Sequence, residues 1–211
     1  MSIEKLRTEA RREQITQAAL QLIAGGGVKG LNMAGLARRV GVVPSALYRH
    51  FKNKDQVWEA VLELLRERLM GNIQLVRELS SEPLDQLKRL LALHLRLILE
   101  YQAFPRILFS EELYGSHPER RKRLYAIVTG YLQEVAGIVR EGQRTGRVRE
   151  EIQPDTAAVM FLGLIQPSAV LWHLSDGGFD AARHIERAWP MFCNALATAL
   201  SSQGEVNGNS H

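Results

Sequence analysis

The sequence predicts an all-α protein of about nine helices, with a small N-terminal three-helix unit followed by a larger helical body. Three observations support this. Apolar residues recur at helical spacing along most of the 211 residues, and no alternating strand pattern exceeds a few positions. Only seven prolines interrupt the chain. Two short helical segments around Gly41 also have the spacing of a helix-turn-helix.

The first helix is predicted over residues 8–24, where Ile15, Ala18, Ala19, Leu22 and Ile23 form one apolar stripe. Gly25, Gly26 and Gly27 end it, because glycine accepts the left-handed conformation that closes a helix. This glycine run lacks the Gly-Lys-Ser/Thr ending of a phosphate loop and follows a helix rather than a strand. Asn32 is a good N-cap for a second helix over 33–40, whose core side is Leu36, Ala37 and Val40. Gly41 permits a sharp turn, and Pro44 suits the first position of a third helix over 44–51, with Leu47 and Phe51 inward. Asn53 caps a long fourth helix carrying Val57, Trp58, Val61, Leu64, Leu65 and Leu69. Further helices are expected over 83–101, 104–114, 118–145, 155–174 and 180–200, and residues 201–211 read as a disordered tail. The expected division is a three-helix unit over 1–54, a larger helical body over 55–202, and a tail over 203–211.

Charge divides the chain in the same place. Through Asp55 there are ten Lys and Arg residues against four acids, whereas the remaining 156 residues carry 17 basic and 19 acidic groups. A basic head on a near-neutral body suits a polyanionic partner. The single cysteine, Cys193, rules out an internal disulfide framework and suits a reducing cytoplasm. The N-terminal residues have no apolar stretch of the kind that drives secretion. The apolar stretch over 157–172 is interrupted by Gln166-Pro167 and is expected to be a buried helix rather than a membrane span. No HExxH, GxSxG or phosphate-loop pattern appears, and neighbouring acids such as Glu150 and Glu151 point to different sides of a helix. No enzyme activity, cofactor or metal is therefore expected.

The stretch from Leu31 to Val42, continued by Val43-Pro44-Ser45-Ala46-Leu47-Tyr48-Arg49-His50-Phe51-Lys52-Asn53-Lys54-Asp55, resembles the signature of the TetR/AcrR regulators. The resemblance covers about residues 8–65. It implies a ligand-responsive transcriptional regulator, in the first instance a repressor released from operator DNA by a small molecule. An activator, or a DNA-binding protein without a ligand, could use the same head. A major groove admits an α-helix whose neighbours hold the flanking phosphates. Outward positions near the start of the third helix then reach base edges, here Val43, Pro44, Ser45 and Arg49. Asn32, Tyr48, His50 and Lys54 match family positions that contact the DNA backbone, which fixes register rather than sequence. Two positions depart from the family pattern. Val43 stands where Ser or Thr is frequent, and Pro44 where Lys or Arg is frequent, so this groove edge offers fewer hydrogen bonds.

In the body, His94, Tyr101, Phe104, Phe109, Tyr125, Tyr131, Phe161, Gln166 and Trp172 are candidate walls of a ligand pocket, set among apolar residues. Gln166-Pro167 draws attention because proline frees a carbonyl and a buried glutamine needs partners. Arg120-Arg121-Lys122-Arg123 is expected to be a solvated face. Val159, Leu162, Gly163, Gln166, Val170 and His173, with Trp189, Phe192, Ala195, Leu196 and Ala199, are expected to pair the last two helices in a homodimer.

Overall fold

The structure is a computed structural model that describes residues 3–108, 110–111 and 117–198. Among these residues there are nine α-helices and one 3₁₀ turn: α1 (Ile3–Gly26), the turn Val28–Gly30, α2 (Met33–Val40), α3 (Pro44–Tyr48), α4 (Lys54–Leu79), α5 (Pro83–Glu100), α6 (Ala103–Leu108), α7 (Pro118–Arg144), α8 (Pro154–Leu174) and α9 (Ala181–Leu196). The expected tail, Ala199, Phe109 and the end of the helix expected over 104–114 lie outside the described residues.

The head forms where its caps and glycines direct it. The Asn32 side chain accepts the Gly35 N–H at 2.7 Å and starts α2. Gly41 (φ 76°) ends it in the left-handed conformation, and Val42 N–H reaches back to the Ala37 carbonyl at 3.0 Å. Pro44 occupies the first turn of α3, where Val43 supplies no side-chain cap. Ile15, Ala19 and Ile23 of α1 close on Leu36, Ala37, Leu47 and Phe51 to make the core. Two boundaries differ from the sequence expectation. The first helix begins at Ile3, since its early turns are held by local polar contacts rather than by burial. The third ends at Tyr48, although Phe51 N–H still bonds the Leu47 carbonyl at 3.0 Å.

The long α4 joins head to body. Asn53 caps it by accepting the Gln56 N–H at 3.0 Å, and its buried side runs from Val57 to Val76. The body packs α4 on α5, α5 on α7, α7 on α8 and α8 on α9. By length and composition α8 is apolar enough to cross a membrane. In this fold it packs against α5, α7 and α9, with about a third of its most apolar window buried.

The far end of the body is tied by a short crossing. Gly146 (φ 67°) turns the chain after α7, and Val148 folds back so closely that a Cβ on Gly142 would meet its Cγ2 at 2.5 Å. Val148 bridges antiparallel to Ala197, and Arg149 N–H bonds the Leu196 carbonyl at 2.9 Å. That pairing gives the end of α9 an extended partner, so the helix stops at Leu196 instead of continuing to residue 200.

The basic run at the start of α7 is not simply a solvated face. Arg120 is buried over the Trp58 ring, 5.2 Å from its centroid, and donates to the Asp55 carboxylate. Arg123 pairs with Glu63 at 2.8 Å and approaches Glu59. These bonds fasten α7 to the first turns of α4, directly behind the helix-turn-helix.

Candidate nucleic-acid interface and ligand cavity

Val43, Pro44, Ser45, Tyr48 and Arg49 all lie exposed on or beside α3, Val43 at 63% and Tyr48 at 48%. Exposure of all five leaves one edge of α3 open to contact. Leu47 beneath them is fully buried, so the exposed side rests on a fixed core. Asn32 stands at the other end of the motif. Its Oδ1 is engaged in capping, and its Nδ2 donates to the Gly30 carbonyl at 3.2 Å. One amide hydrogen is left for an outside acceptor. His50 is half-buried, and its Nδ1 is enclosed without a hydrogen-bond partner among the described residues. Lys54 is the first residue of α4. Arg12 braces this end of the head from α1, donating to the His50 carbonyl with its guanidinium 4.1 Å from the Phe51 ring centroid.

Inside the body, a cavity of about 90 Å³ lies among α4, α5, α6, α7 and α8. Leu65 and Leu69 wall it from α4, and Leu97, Ile98, Phe104, Pro105, Leu108, Leu124, Val128 and Leu162 complete the apolar lining. Its polar groups are His94, Tyr131 and Gln166. His94 Nδ1 lies 2.8 Å from the Tyr131 hydroxyl, with both side chains buried. Burial lowers His94 from 6.5 to about 4 and pushes the Tyr131 hydroxyl upward, so both are neutral at physiological pH. Gln166 is half-buried at the wall of this space, and its side chain has no hydrogen-bond partner among the described residues.

A second, larger cleft of about 720 Å³ opens between head and body. Gly26, Gly27, Val28 and Lys29 contribute from the head, and Arg106, Val170, Trp172, His173 and Leu174 from the body. Arg106 Nε is enclosed without a partner among the described residues, while one terminal nitrogen lies 3.4 Å from His173 Nε2. Glu111 is the acid on this wall. Ile98 and Pro105 line both spaces, so they share a partition.

The structure therefore brings His94, Phe104, Tyr131 and Gln166 together around the inner cavity and places Trp172 in the outer cleft. Tyr101 lines neither; it stacks on Phe104 at 5.3 Å under Arg68. Phe161 is fully buried against Phe192, and Tyr125 is 70% exposed on α7. Tyr125 falls out of phase with Leu124, Ile127 and Tyr131, a periodicity signal that separates it from the buried side. Lys29 and Arg106 carried no such signal, because residues far apart in sequence make the cleft.

The expected pairing face also divides. Trp189, Phe192 and Leu196 of α9 are buried in the subunit's own core. Val159, Met160, Val170, Leu171 and Leu174 of α8, with Met191 of α9, remain exposed and apolar.

The chain matches two family models: bacterial regulatory proteins of the tetR family over residues 15–61, and the tetracyclin repressor-like C-terminal domain over residues 80–196. It is 27% identical over 170 residues to the fatty acid metabolism regulator protein of Bacillus subtilis (strain 168), covering 79% of this chain and 86% of the relative. It is 25% identical over 182 residues to the nucleoid occlusion factor SlmA of Vibrio vulnificus (strain YJ016), covering 86% of this chain and 93% of that one. The solved structure of the transcriptional regulator FadR from Bacillus subtilis in complex with stearoyl-CoA superposes with a TM-score of 0.73 at 24% identity. That superposition covers 87% of this chain and 98% of FadR. With its helix-turn-helix head and more than half its length matched by the C-terminal model, this chain belongs to the TetR family of bacterial DNA-binding transcriptional regulators.

Proposed function

We propose that this protein is a cytoplasmic homodimeric repressor, released from its operator by an amphipathic anion such as a long-chain acyl thioester, and that it performs no catalysis. The carrying observation is the pair of spaces sharing Ile98 and Pro105: an apolar cavity inside, and outside it a cleft bearing Lys29 from the head and Arg106 from the body. An apolar chain suits the first space, and an anionic head suits the two cations of the second. The similarity to a fatty acid metabolism regulator and to FadR with stearoyl-CoA supports the same ligand class.

Size supplies the mechanism. A cavity of about 90 Å³ is well below the roughly 300–1,000 Å³ of a small-molecule site. A long chain must therefore widen it, and two of its walls, Leu65 and Leu69, are on α4. A ligand acts by binding one conformation more tightly than the other. Widening displaces α4, while the anion draws Lys29 toward Arg106, so both ends of the ligand favour a head position different from the DNA-bound one. The Gln166 amide offers a hydrogen bond to the ligand's carbonyl.

On DNA, Ser45 and Arg49 reach base edges, and Val43 and Pro44 offer apolar contact to a thymine methyl. Asn32, Tyr48, His50 and Lys54 hold the backbone. The exposed side of α8, with Met191 of α9, joins a second copy and sets two heads on a near-palindromic site.

The test is a titration of stearoyl-CoA into the full-length protein bound to a labelled duplex from its own upstream region. The expected result is release of DNA together with a higher melting temperature for the free protein. Stearoyl-CoA that changes neither would overturn the ligand reading.

A further inference from the structure

The first three turns of α1 have no part in the core. From Glu4 to Gln14 every side chain is exposed except the half-buried Arg12, and burial begins at Ile15, where the family match also begins. A helical extension that buries nothing needs another reason to be ordered and positioned. Local bonds hold it: Thr8 Oγ1 donates to the Glu4 carbonyl at 3.0 Å, Lys5 approaches Glu9 at 4.0 Å, and Arg11 donates to Gln14 at 2.8 Å. Arg12 anchors it to the end of the helix-turn-helix through the His50 carbonyl and the Phe51 ring.

Its charges are sorted by face. Arg7, Arg11 and Gln14 follow at i, i+4 and i+7, whereas Glu9 and Glu13 belong to the opposite side. Arg7, Arg11 and Gln14 line a shallow groove of about 460 Å³ together with His50, and Glu4 stands at its outer end. Arg7 and Arg11 form no ion pair among the described residues. Two guanidinium groups, an amide and an imidazole thus converge beside the C-terminal end of α3. That chemistry suits phosphodiester oxygens, because guanidinium hydrogen bonds match phosphate geometry.

We propose that this extension is a second phosphate grip, in which Arg7 and Arg11 hold the DNA strand flanking the groove that α3 enters. The inference rests on the reading of α3 as the groove helix. It adds to the head a contact surface about half as long as α1 and outside the helix-turn-helix itself. The grip tightens binding without reading sequence, since both cations meet backbone rather than bases.

The experiment uses the full chain and a fluorescent random-sequence duplex of about 30 base pairs, with affinity measured across a range of salt concentrations. Each neutralised phosphate contributes about 0.9 to the slope of log affinity against log salt. The double variant Arg7→Gln/Arg11→Gln is expected to reduce that slope by about two and to weaken binding equally on any sequence. Both side chains are exposed, so its melting temperature stays at the wild-type value. The opposite-face variant Glu9→Gln/Glu13→Gln is expected to leave the slope in place. A double arginine variant that binds with the wild-type slope overturns the grip. Wild-type protein with no salt-dependent binding overturns the DNA reading beneath it.

Discussion

The head and the body of this regulator present their chemistry in opposite directions. In the head, Val43, Tyr48 and Arg49 point outward from a minimal core of Leu36, Leu47 and Phe51. In the body, His94, Tyr131 and Gln166 border a space among five helices. A rigid polyanion is met by groups on a protruding edge, and one short stretch of chain can supply them all. A flexible apolar ligand is met by a space, and a space is made only by several helices packing together. The first kind of site needs a local motif; the second needs a complete fold.

Breaking each side's core tests this contrast most strongly. Phe51 is fully buried, and Phe51→Ala is expected to cost roughly 3–5 kcal/mol and to abolish DNA binding. If the contrast holds, the variant still raises its melting temperature with stearoyl-CoA. Loss of both responses would make head and body one cooperative unit.

Next in size is the exposed side of α8. Val159→Glu places a charge next to Met160, away from the residues of α8 that line the cleft, and is expected to weaken dimerisation roughly 100-fold in sedimentation equilibrium. Unchanged dimer affinity would move the pairing face elsewhere.

The body's inward chemistry also predicts a pH response. Burial holds His94 at about 4 against 6.5 in the unfolded chain, so the unfolded state binds more protons between those values. Stability is therefore full above about pH 6.5 and falls as pH drops toward 4. Between pH 7.5 and pH 5 the loss should be about 2 kcal/mol by urea denaturation, since one pKa unit is worth about 1.4 kcal/mol. A His94→Gln variant is expected to lose most of this slope. The smallest effect belongs to the head: Gly41 sits at φ 76°, and Gly41→Ala is expected to cost about 1 kcal/mol in thermal unfolding.

The same contrast explains what was legible in the sequence. Asn32, Gly41, Pro44 and Asn53 announce the ends of α2, α3 and α4 through local backbone chemistry, and the structure starts or stops helices at those residues. Helical periodicity located the body's helices but not their partners. Trp189, Phe192 and Leu196 form a genuine apolar stripe, yet a stripe does not reveal whether its own subunit or a second copy covers it. Arg120 read as a surface charge because its partners, Asp55 and Trp58, lie more than sixty positions earlier. Lys29 and Arg106 escaped notice for the same reason.

Helix α4 carries Val57 and Trp58 beneath the head and Leu65 and Leu69 along the cavity, on one rod fastened to α7 by Arg120 and Arg123. Thermodynamic linkage through such a rod is reciprocal: whatever factor the ligand removes from DNA affinity, DNA removes from ligand affinity. Under the proposed release mechanism, operator-bound copies are thus the less sensitive detectors, and free copies the more sensitive. The number of operator copies in a cell then helps to set the ligand concentration at which the gene responds.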